Sequence, residues 1–415
     1  MRMRRSLILF LLVGLSLRAE VTPAQVNQAL GAELFSDGNL WDDEGKGVAE
    51  RLGWPQESET STDASYRLYA KDSVRLLGCR PYSCALLVEQ GKAASLSIMF
   101  ANKGDGVAVD SKTTDPKKAR ERAEQIREFK KTIAEDARII AAKLTELLGK
   151  PMSDRVGQGR LTSEAVKRWN WQGHAFLLAS PRDEYVALRI MTVKSADDGG
   201  RSRVSDVELA ARAKTRVERR QNGDVILKDI PMVNQGPKGY CVPATWERVM
   251  RYMGVSADMY VLAMAGDTGA GGGSSVTAIA AGAKESIMRS GRKIEAPAIK
   301  PDPVSVAKYI DRGLPVMWAM FSTKEYNDIA DARTKAREGV TDAAEWRKAI
   351  AESRKGQKPL KVDRNTAHMC MIIGYNKDTG EIAVSDSWGD QFAERWILGT
   401  EAAQVSQGQF MVVGY

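Results

Sequence analysis

The chain has 415 residues, of which 43% are hydrophobic and 27% charged, and its formal net charge is +8. This length exceeds one ordinary hydrophobic core and predicts two domains of a globular protein. The positive charge does not indicate nucleic-acid binding, because four arginines lie in the first 19 residues. The remaining cations are interspersed with Asp and Glu and form no basic stripe, so nucleic acid is excluded as an expected partner.

The first 19 residues have the pattern of a secretory signal peptide. Three arginines in the opening MRMRR precede an apolar run from Leu7 to Leu17, and Ala19 is a small residue suited to cleavage. The run is too short to span a bilayer well, although an uncleaved signal anchor stays open as the alternative. No later stretch is apolar enough to cross a membrane. We therefore predict a secreted or periplasmic protein without a membrane span after signal cleavage.

Residues 24–195 are predicted to form an α+β domain. A long helix is expected to begin after Asp115, with Pro116 in its first turn, and to end at Gly149. Its apolar residues recur at spacings of three and four, which favours a helix packed on its own sheet over the seam of a coiled-coil partner. This domain carries no identifiable chemistry, and we interpret His174 as structural. Strand-like runs occupy 66–70, 74–79, 84–89, 94–101, 174–179 and 185–193.

Two of the four cysteines, Cys79 and Cys84, flank a turn-prone Arg-Pro-Tyr-Ser stretch. Export would permit a disulfide across this turn, and free core thiols are the other interpretation; the sequence leaves both open. A zinc site is not expected, because these cysteines have no second pair of Cys or His near them. We predict no metal and no organic cofactor.

Residues 196–224 are predicted to be a linker followed by a short helix, and residues 225–415 a second domain. The stretch AGDTGAGGGSSV at 265–276 lacks the Gly-Lys-Ser/Thr ending of a phosphate-binding loop, so we interpret it as a flexible loop and at most a cleft wall. Residues 322–364 are charged and predicted to form a helical insertion. The predicted ordered elements are strands at 225–231 and 315–321, a helix at 242–253 ended by Gly254, and the strand pair HMCMIIGY and EIAVSDSW.

The stretch QGPKGYCVPATW places Cys241 at the start of a predicted helix, after a Gly/Pro loop. A thiol attacks a carbonyl only as its thiolate, and an ordinary cysteine has a pKa of about 8.5. A helix N-terminus favours the negative charge, and an imidazole can take the thiol proton and later protonate a leaving group. His368, the single histidine of the second half, begins a predicted strand and supplies that group.

Two further residues complete a candidate catalytic set with Cys241 and His368. Asp386 lies across the predicted hairpin from His368, where its carboxylate could orient the ring and stabilise the imidazolium. Gln235 precedes Cys241 by six residues, and its amide could stabilise an oxyanion together with the backbone N–H of Cys241. We interpret Cys370, two residues after His368, as a core residue.

These motifs together resemble the papain-like cysteine peptidases. The elements are Q-G-x4-C before a helix, H-x5-G-Y, and D-S-W-G; the GYC-x-PA stretch is most similar to the double-glycine-leader, or bacteriocin-processing, branch. The resemblance implies a helix carrying Cys241 packed on an antiparallel sheet carrying His368 and Asp386. It also implies Gln235 in the oxyanion hole, and Trp388 shielding the His–Asp hydrogen bond.

The sequence departs from this family at Val242, where glycine is usual, and in the insertion at 322–364, which has no recognised counterpart. We predict a cysteine peptidase with a peptide or protein substrate; the oligomeric state stays open. Three alternatives also stay open. They are a transglutaminase or amidase with the same Cys-His-Asp order, an inactive binding module, and a self-processing enzyme whose first half is a pro-segment or recognition module.

Overall fold

The computed structural model of the chain combines two large antiparallel sheets with helices. This arrangement confirms the predicted α+β class. Within the described part, no helix combines the length and hydrophobicity needed to cross a bilayer. The predicted signal peptide lies outside the described residues, which are 20–36, 39–108, 113–200, 204–340 and 342–415.

The first half forms an eight-stranded antiparallel sheet with the order β1-β2-β3-β4-β8-β7-β6-β5. One long hydrophobic cluster lies between this sheet and its helices α1 to α3. The strands are β1 Gln56–Glu59, β2 Asp63–Tyr69, β3 Ser83–Glu89, β4 Lys92–Asn102, β5 Met152–Val156, β6 Glu164–Trp171, β7 His174–Ala179 and β8 Tyr185–Thr192; the helices are α1 Pro23–Leu30, α2 Gly45–Leu52, α3 Pro116–Leu148 and α4 Val193–Asp197.

Helix α3 begins and ends where the sequence predicts. The side chain of Asp115 accepts a hydrogen bond from the backbone N–H of Lys117 at 2.8 Å, and Pro116 occupies the first turn, where it needs no N–H partner. Gly149 ends the helix with φ +91°, a conformation that L side chains rarely adopt. The buried face packs on the first sheet and consists of Phe129, Ile133, Ile140, Ala141 and Leu144.

The strand predicted at 74–79 is wrong. The chain forms a tight turn there, in which Leu76 and Cys79 exchange backbone hydrogen bonds at 2.9 Å in both directions. Leu77 and Gly78 both have positive φ, which is incompatible with a continuous strand. The apolar side chains that suggested a strand are buried because the turn closes over the core of the first half.

The cysteines and the histidine of the first half are core residues. Cys79 and Cys84 are buried free thiols, so the disulfide alternative does not hold in this structure. His174 is fully buried, contacts the carbonyl of Trp171 through Nδ1 at 3.1 Å and accepts a hydrogen bond from Leu40 N–H through Nε2 at 3.3 Å. These bonds are consistent with the structural role that we predicted for His174.

The second half forms a sheet with the order β11-β16-β12-β13-β10-β9, to which β14 is added beside β13 and β15 beside β14. Every recorded strand pair is antiparallel. The strands are β9 Val217–Arg219, β10 Asp224–Leu227, β11 Lys293–Glu295, β12 Val316–Phe321, β13 Ala367–Asn376, β14 Glu381–Ser385, β15 Arg395–Leu398 and β16 Ser406–Gly414. The helices are α5 Asp206–Arg216, α6 Cys241–Tyr252, α7 Met259–Ala265, α8 Val276–Arg289, α9 Pro303–Ile310, α10 Lys324–Glu338, α11 Ala343–Lys355 and α12 Gly399–Val405.

Residues 322–364 contain the helices α10 and α11, and α10 is attached to the sheet by buried ion pairs. Arg337 forms a salt bridge with Asp224 at 2.5 Å and another with Glu381, and its guanidinium lies 3.8 Å from the ring centroid of Trp396. Arg333 pairs with Glu401. Since these groups are nearly all inaccessible to solvent, α10 is an integral layer on the edge of the second sheet.

The two halves share one apolar cluster in addition to their separate cores. The first half contributes one face of its sheet, and the second half contributes side chains around α6 and α7. The domain boundaries predicted at 24–195, 196–224 and 225–415 stay a prediction. Members of this cluster include Met99, Leu177, Tyr185, Ala187, Val233, Tyr240, Ala244 and Tyr260.

Candidate active site

Cys241 is the first residue of α6, at the end of an irregular loop that runs from Pro231 to Tyr240, hereafter the 231–240 loop. The rest of α6 is almost entirely buried, which fixes the helix in the core. Cys241 itself is partly exposed. The backbone N–H of Val242 donates a hydrogen bond to its sulfur, so the free N–H groups of the helix start stabilise a negative charge there.

Strand β13 brings His368 against this sulfur. The hydroxyl of Thr245, one turn into α6, donates to the carbonyl of Met369 at 3.1 Å and ties the helix to the strand. The ring of His368 and the backbone N–H of Met369 both interact with the sulfur of Cys241 and lower the pKa of its thiol. The structure therefore brings together two residues that are 127 positions apart in the chain.

Asp386 follows β14 and accepts a hydrogen bond from His368. Its Oδ1 lies 2.8 Å from Nε2 of the ring, which leaves Nδ1 as the ring nitrogen for the sulfur. Its Oδ2 accepts two hydrogen bonds from the guanidinium of Arg395, at 2.6 and 3.1 Å. All three side chains are buried, so the carboxylate is shared between a ring and a guanidinium away from water.

The hydrogen bonds shift the three pKa values in the directions that an ion pair requires. Burial raises the pKa of the Cys241 thiol, but hydrogen bonding and the charge of His368 outweigh burial, so this pKa falls below its ordinary value. Burial lowers the pKa of His368, yet the hydrogen bonds with Asp386 and Cys241 raise it to about 9. Despite burial, His368 and Arg395 lower the pKa of Asp386. Together, the shifts favour a thiolate, an imidazolium and a carboxylate.

Trp388 covers the ring of His368. The two ring centroids are 4.6 Å apart and the planes are inclined by 30°, which is a stacked arrangement. The guanidinium of Arg395 lies 5.3 Å from the centroid of Trp388. The indole therefore lies against both hydrogen-bond partners of Asp386, where it reduces the access of water to these hydrogen bonds.

Gln235 lies in the 231–240 loop, beside the segment that carries Asp386. Its backbone N–H donates to the carbonyl of Ser387 at 2.8 Å. Its side-chain oxygen is buried, with no hydrogen-bond partner among the described residues. The backbone of Gln235 is thus fixed beside Ser387, the residue after Asp386, while its side-chain oxygen is not used by the described part of the protein. The glycine-rich stretch 265–276 also reaches this loop, since Gly273 N–H donates to the carbonyl of Gly239 at 3.2 Å.

Two arginines near the site were missed in the sequence analysis. One is Arg395, described above as a partner of Asp386. The other is Arg248 of α6, which donates to the carbonyl of Pro231 at 2.9 Å and to the hydroxyl of Ser385 at 2.6 Å. Burial lowers the pKa of Arg248 to about 10. The sequence signal for these two residues was an arginine in an otherwise apolar strand for Arg395, and an arginine on a buried helix face for Arg248. Charged residues are rarely buried without a partner, so such positions indicate a buried ion pair or hydrogen-bond network.

Cys370 is buried in the core of the second half, next to the site. It is a free thiol, and burial raises its pKa well above the ordinary value. The arrangement fits the core role that we predicted. Throughout the described ranges, no group of three or more His, Cys, Asp or Glu side chains is placed to hold a metal ion.

The two histidines of the chain are expected to titrate on opposite sides of the ordinary histidine pKa of 6.5. His368 should keep its ring proton until about pH 9, whereas burial lowers the pKa of His174 below 6.5. A pH titration of the ring proton resonances by NMR measures both. The Asp386→Asn variant assigns them, because it should lower only the higher pKa. Two transitions near 6.5 would contradict the described ion pair.

In the second half of the chain, α6 begins with Cys241, and the antiparallel sheet beside it carries His368 on β13, with Asp386 directly after β14. Residues 227–405 match the profile of the Peptidase_C39 like family, which confirms the resemblance drawn from the motifs.

Among solved structures, the chain is similar to the peptidase domain of Streptococcus ComA, described as a bi-functional ABC transporter involved in a quorum sensing pathway. The identity is 11%, the alignment covers 45% of this chain and 98% of that domain, and the TM-score is 0.29. A comparison with curated proteins gave no match.

Proposed function

We propose that this protein is an exported cysteine peptidase that hydrolyses peptide or amide bonds with Cys241, His368 and Asp386. The match to a peptidase family supports the class of enzyme and a peptide substrate. The observation that supports the assignment of residues is the arrangement of the three side chains: His368 lowers the pKa of the Cys241 thiol, and Nε2 of its ring lies 2.8 Å from Oδ1 of Asp386. Export is proposed from the signal pattern of residues 1–19.

In this reaction the thiolate of Cys241 attacks the carbonyl carbon of the scissile bond. The negative charge moves to the carbonyl oxygen, where the backbone N–H of Cys241 and the side-chain amide of Gln235 are proposed to stabilise it. The imidazolium of His368 gives its proton to the leaving amine, which departs and leaves an acyl-enzyme. Water, deprotonated by His368, then attacks the thioester carbonyl; the acid product leaves and the thiolate of Cys241 and the imidazolium of His368 are restored. Asp386 keeps the ring oriented throughout.

The Cys241→Ala variant tests this function. We expect wild-type protein to generate new peptide termini in a mixture of denatured proteins, detected by mass spectrometry, and the variant to lose this activity at least about a thousandfold. A Cys79→Ala control should retain it, because Cys79 lies in the core of the first half. Equal hydrolysis by wild type and Cys241→Ala would disprove the assignment.

The same proteins separate the alternative functions. If the enzyme were a transglutaminase, an added primary amine would react with the acyl-enzyme faster than water does, and the amine would be incorporated into the products. Absence of any reaction of Cys241 with a thiol reagent at neutral pH would favour an inactive binding module. N-terminal sequencing of wild type and Cys241→Ala addresses self-processing, because identical N-termini exclude it.

A further inference from the structure

The 231–240 loop carries Gln235 and leads into Cys241, and it has neither helix nor strand to fix it. The second half holds it at Pro231, Gln235 and Gly239, through the hydrogen bonds described above. An oxyanion donor must be placed before the reaction, to within about 0.5 Å, to stabilise a developing charge. The remaining contacts of this loop therefore matter for catalysis.

Those remaining contacts come from the first half of the chain. Ser58 of β1 accepts a hydrogen bond from the N–H of Met232 at 2.9 Å, and the carboxylate of Glu57 accepts one from the N–H of Asn234 at 2.8 Å. The hydroxyl of Tyr69, at the end of β2, donates to the carbonyl of Asn234 at 2.6 Å. Both polar backbone groups of the residue before Gln235 are thus bonded to the first sheet.

The ring of Tyr69 also fixes the residue after Gln235. Gly236 has φ +72°, and a Cβ atom at this position would lie only 2.9 Å from the ring of Tyr69. The loop therefore passes so closely beneath the ring that only glycine fits there. Gln235 therefore lies between Asn234, which is hydrogen-bonded to Tyr69, and Gly236, which packs against the ring of Tyr69.

The other end of the loop is held by the first half as well, at the end of β4 and in the segment that follows it. Tyr240 directly precedes Cys241, and its hydroxyl donates to the side-chain oxygen of Asn102 at 2.5 Å and accepts from the N–H of Gly104 at 3.1 Å. Lys238 donates to the carbonyl of Val107 at 3.3 Å. The anchors are supported by a buried ion pair, in which Arg67 donates to Glu57 at 2.5 Å.

From these contacts, and resting on the function proposed above, we infer that the first sheet is part of the catalytic apparatus and that Tyr69 is a positioning residue for the oxyanion donor Gln235. Tyr69 does not touch the reacting atoms; it acts through the backbone of Asn234 and Gly236. The first half is therefore needed for the acyl-transfer step itself, whichever peptide is cleaved.

The test compares two electrophilic reagents that both react with the sulfur of Cys241. With p-nitrophenyl acetate, the thiolate adds to the carbonyl carbon, an oxyanion forms, and p-nitrophenolate leaves. With iodoacetamide, the thiolate displaces iodide at a saturated carbon and no oxyanion forms. The ratio of the two rate constants for Cys241, each corrected by subtracting the Cys241→Ala background, therefore reports oxyanion stabilisation separately from the ionisation of the thiol.

In Tyr69→Phe, which keeps the ring and removes the hydrogen bond, we expect acylation to slow about tenfold, while alkylation changes by less than about twofold. Ser58→Ala, which removes a second anchor, should shift the ratio in the same direction. The matched control is Tyr82→Phe: its ring packs on Tyr69, with centroids 5.7 Å apart, but its hydroxyl donates to Asp105 at 2.6 Å. This control should leave both rate constants unchanged.

Three outcomes would overturn the inference. One is an unchanged ratio in Tyr69→Phe and Ser58→Ala; another is an equal fall in Tyr82→Phe, which would indicate a general packing effect. The third is a wild-type ratio equal to that of free cysteine, which would mean that no oxyanion donor acts. Wild-type rates no faster than the Cys241→Ala background with both reagents would instead refute the proposed function, and the inference with it.

Discussion

Replacing His368 by alanine is expected to slow the alkylation of Cys241 by iodoacetamide about a hundredfold at pH 6.5. A thiol with an ordinary pKa of about 8.5 is about 1% ionised at that pH, whereas the wild-type sulfur is stabilised as a thiolate by the ring. Without the ring, burial would oppose the thiolate, and only the backbone N–H groups of Met369 and Val242 would still lower the pKa of Cys241. The rate is measured as loss of the unmodified Cys241 peptide by mass spectrometry across pH 5–10.

The dependence of the alkylation rate on pH also distinguishes the wild-type protein from the His368→Ala variant. The wild-type rate should be nearly constant from mildly acidic pH to about pH 9, where His368 loses its proton, and the variant rate should climb through the alkaline range. The three other cysteines are buried and should stay unmodified in both folded proteins. In urea-unfolded protein all four cysteines should be alkylated at the rate of an ordinary thiol, which confirms that the reagent is active. Superimposable profiles of the folded proteins would exclude a thiolate–imidazolium pair.

Replacing Arg395 by leucine is expected to lower the free energy of unfolding by about 3–5 kcal/mol. The change removes two hydrogen bonds from Asp386 and leaves its buried carboxylate hydrogen-bonded to His368, with the buried Arg248 as the other nearby cation. Arg395 also donates to Asp331 of α10 at 3.0 Å, so its loss loosens the helix from the sheet. Urea unfolding followed by far-UV circular dichroism measures the effect.

The control is an ion pair of similar length at the surface. Arg347 donates to Asp378 at 3.0 Å, but the two side chains are 49% and 54% exposed. Because water screens such pairs, Arg347→Leu should change the free energy of unfolding by less than about 1 kcal/mol. A loss in Arg395→Leu no larger than in this control would show that the buried cluster contributes little to stability.

The same cluster should make stability depend on pH in a defined direction. The folded-state pKa of His368 is raised to about 9, above the value of about 6.5 expected in the unfolded chain. Its contribution to stability is therefore complete below about pH 6.5 and is lost as the pH rises to about 9. Asp386→Asn should weaken this dependence, because the hydrogen bond to Asp386 is a main cause of the shift.

The sequence was informative where short-range rules apply. The cap residue Asp115 and the terminal Gly149 located α3, and the hairpin of β13 and β14 could be expected to bring Asp386 near His368, since its strands are joined by a short turn. The approach of Cys241 to His368 was predictable only from the order of motifs, because no local rule relates residues 127 positions apart. The turn at 74–79 was missed because its apolar residues are buried for a tertiary reason.

The contacts that sequence reasoning could not supply are those between distant elements. Arg395 lies on a separate strand nine residues after Asp386, and its partnership depends on how β14 and β15 pair. Tyr69 meets Gly236 only because the two halves pack together. A glycine such as Gly236 can indicate that another group packs closely against the backbone. Neither the periodicity nor the motifs of the sequence could predict that this group is the ring of Tyr69.

The strand order determines when, during synthesis of the chain, His368 can come to lie beside Cys241. The last strand, β16, is inserted between β11 and β12, and β12 in turn neighbours the strand that carries His368. A ribosome will have completed the first sheet and α6 long before it adds these C-terminal strands. Until β13 has been made, the sulfur of Cys241 lacks the imidazole of His368 beside it. The proposed activation of Cys241 can therefore arise only after β13 has been made and has paired within the sheet.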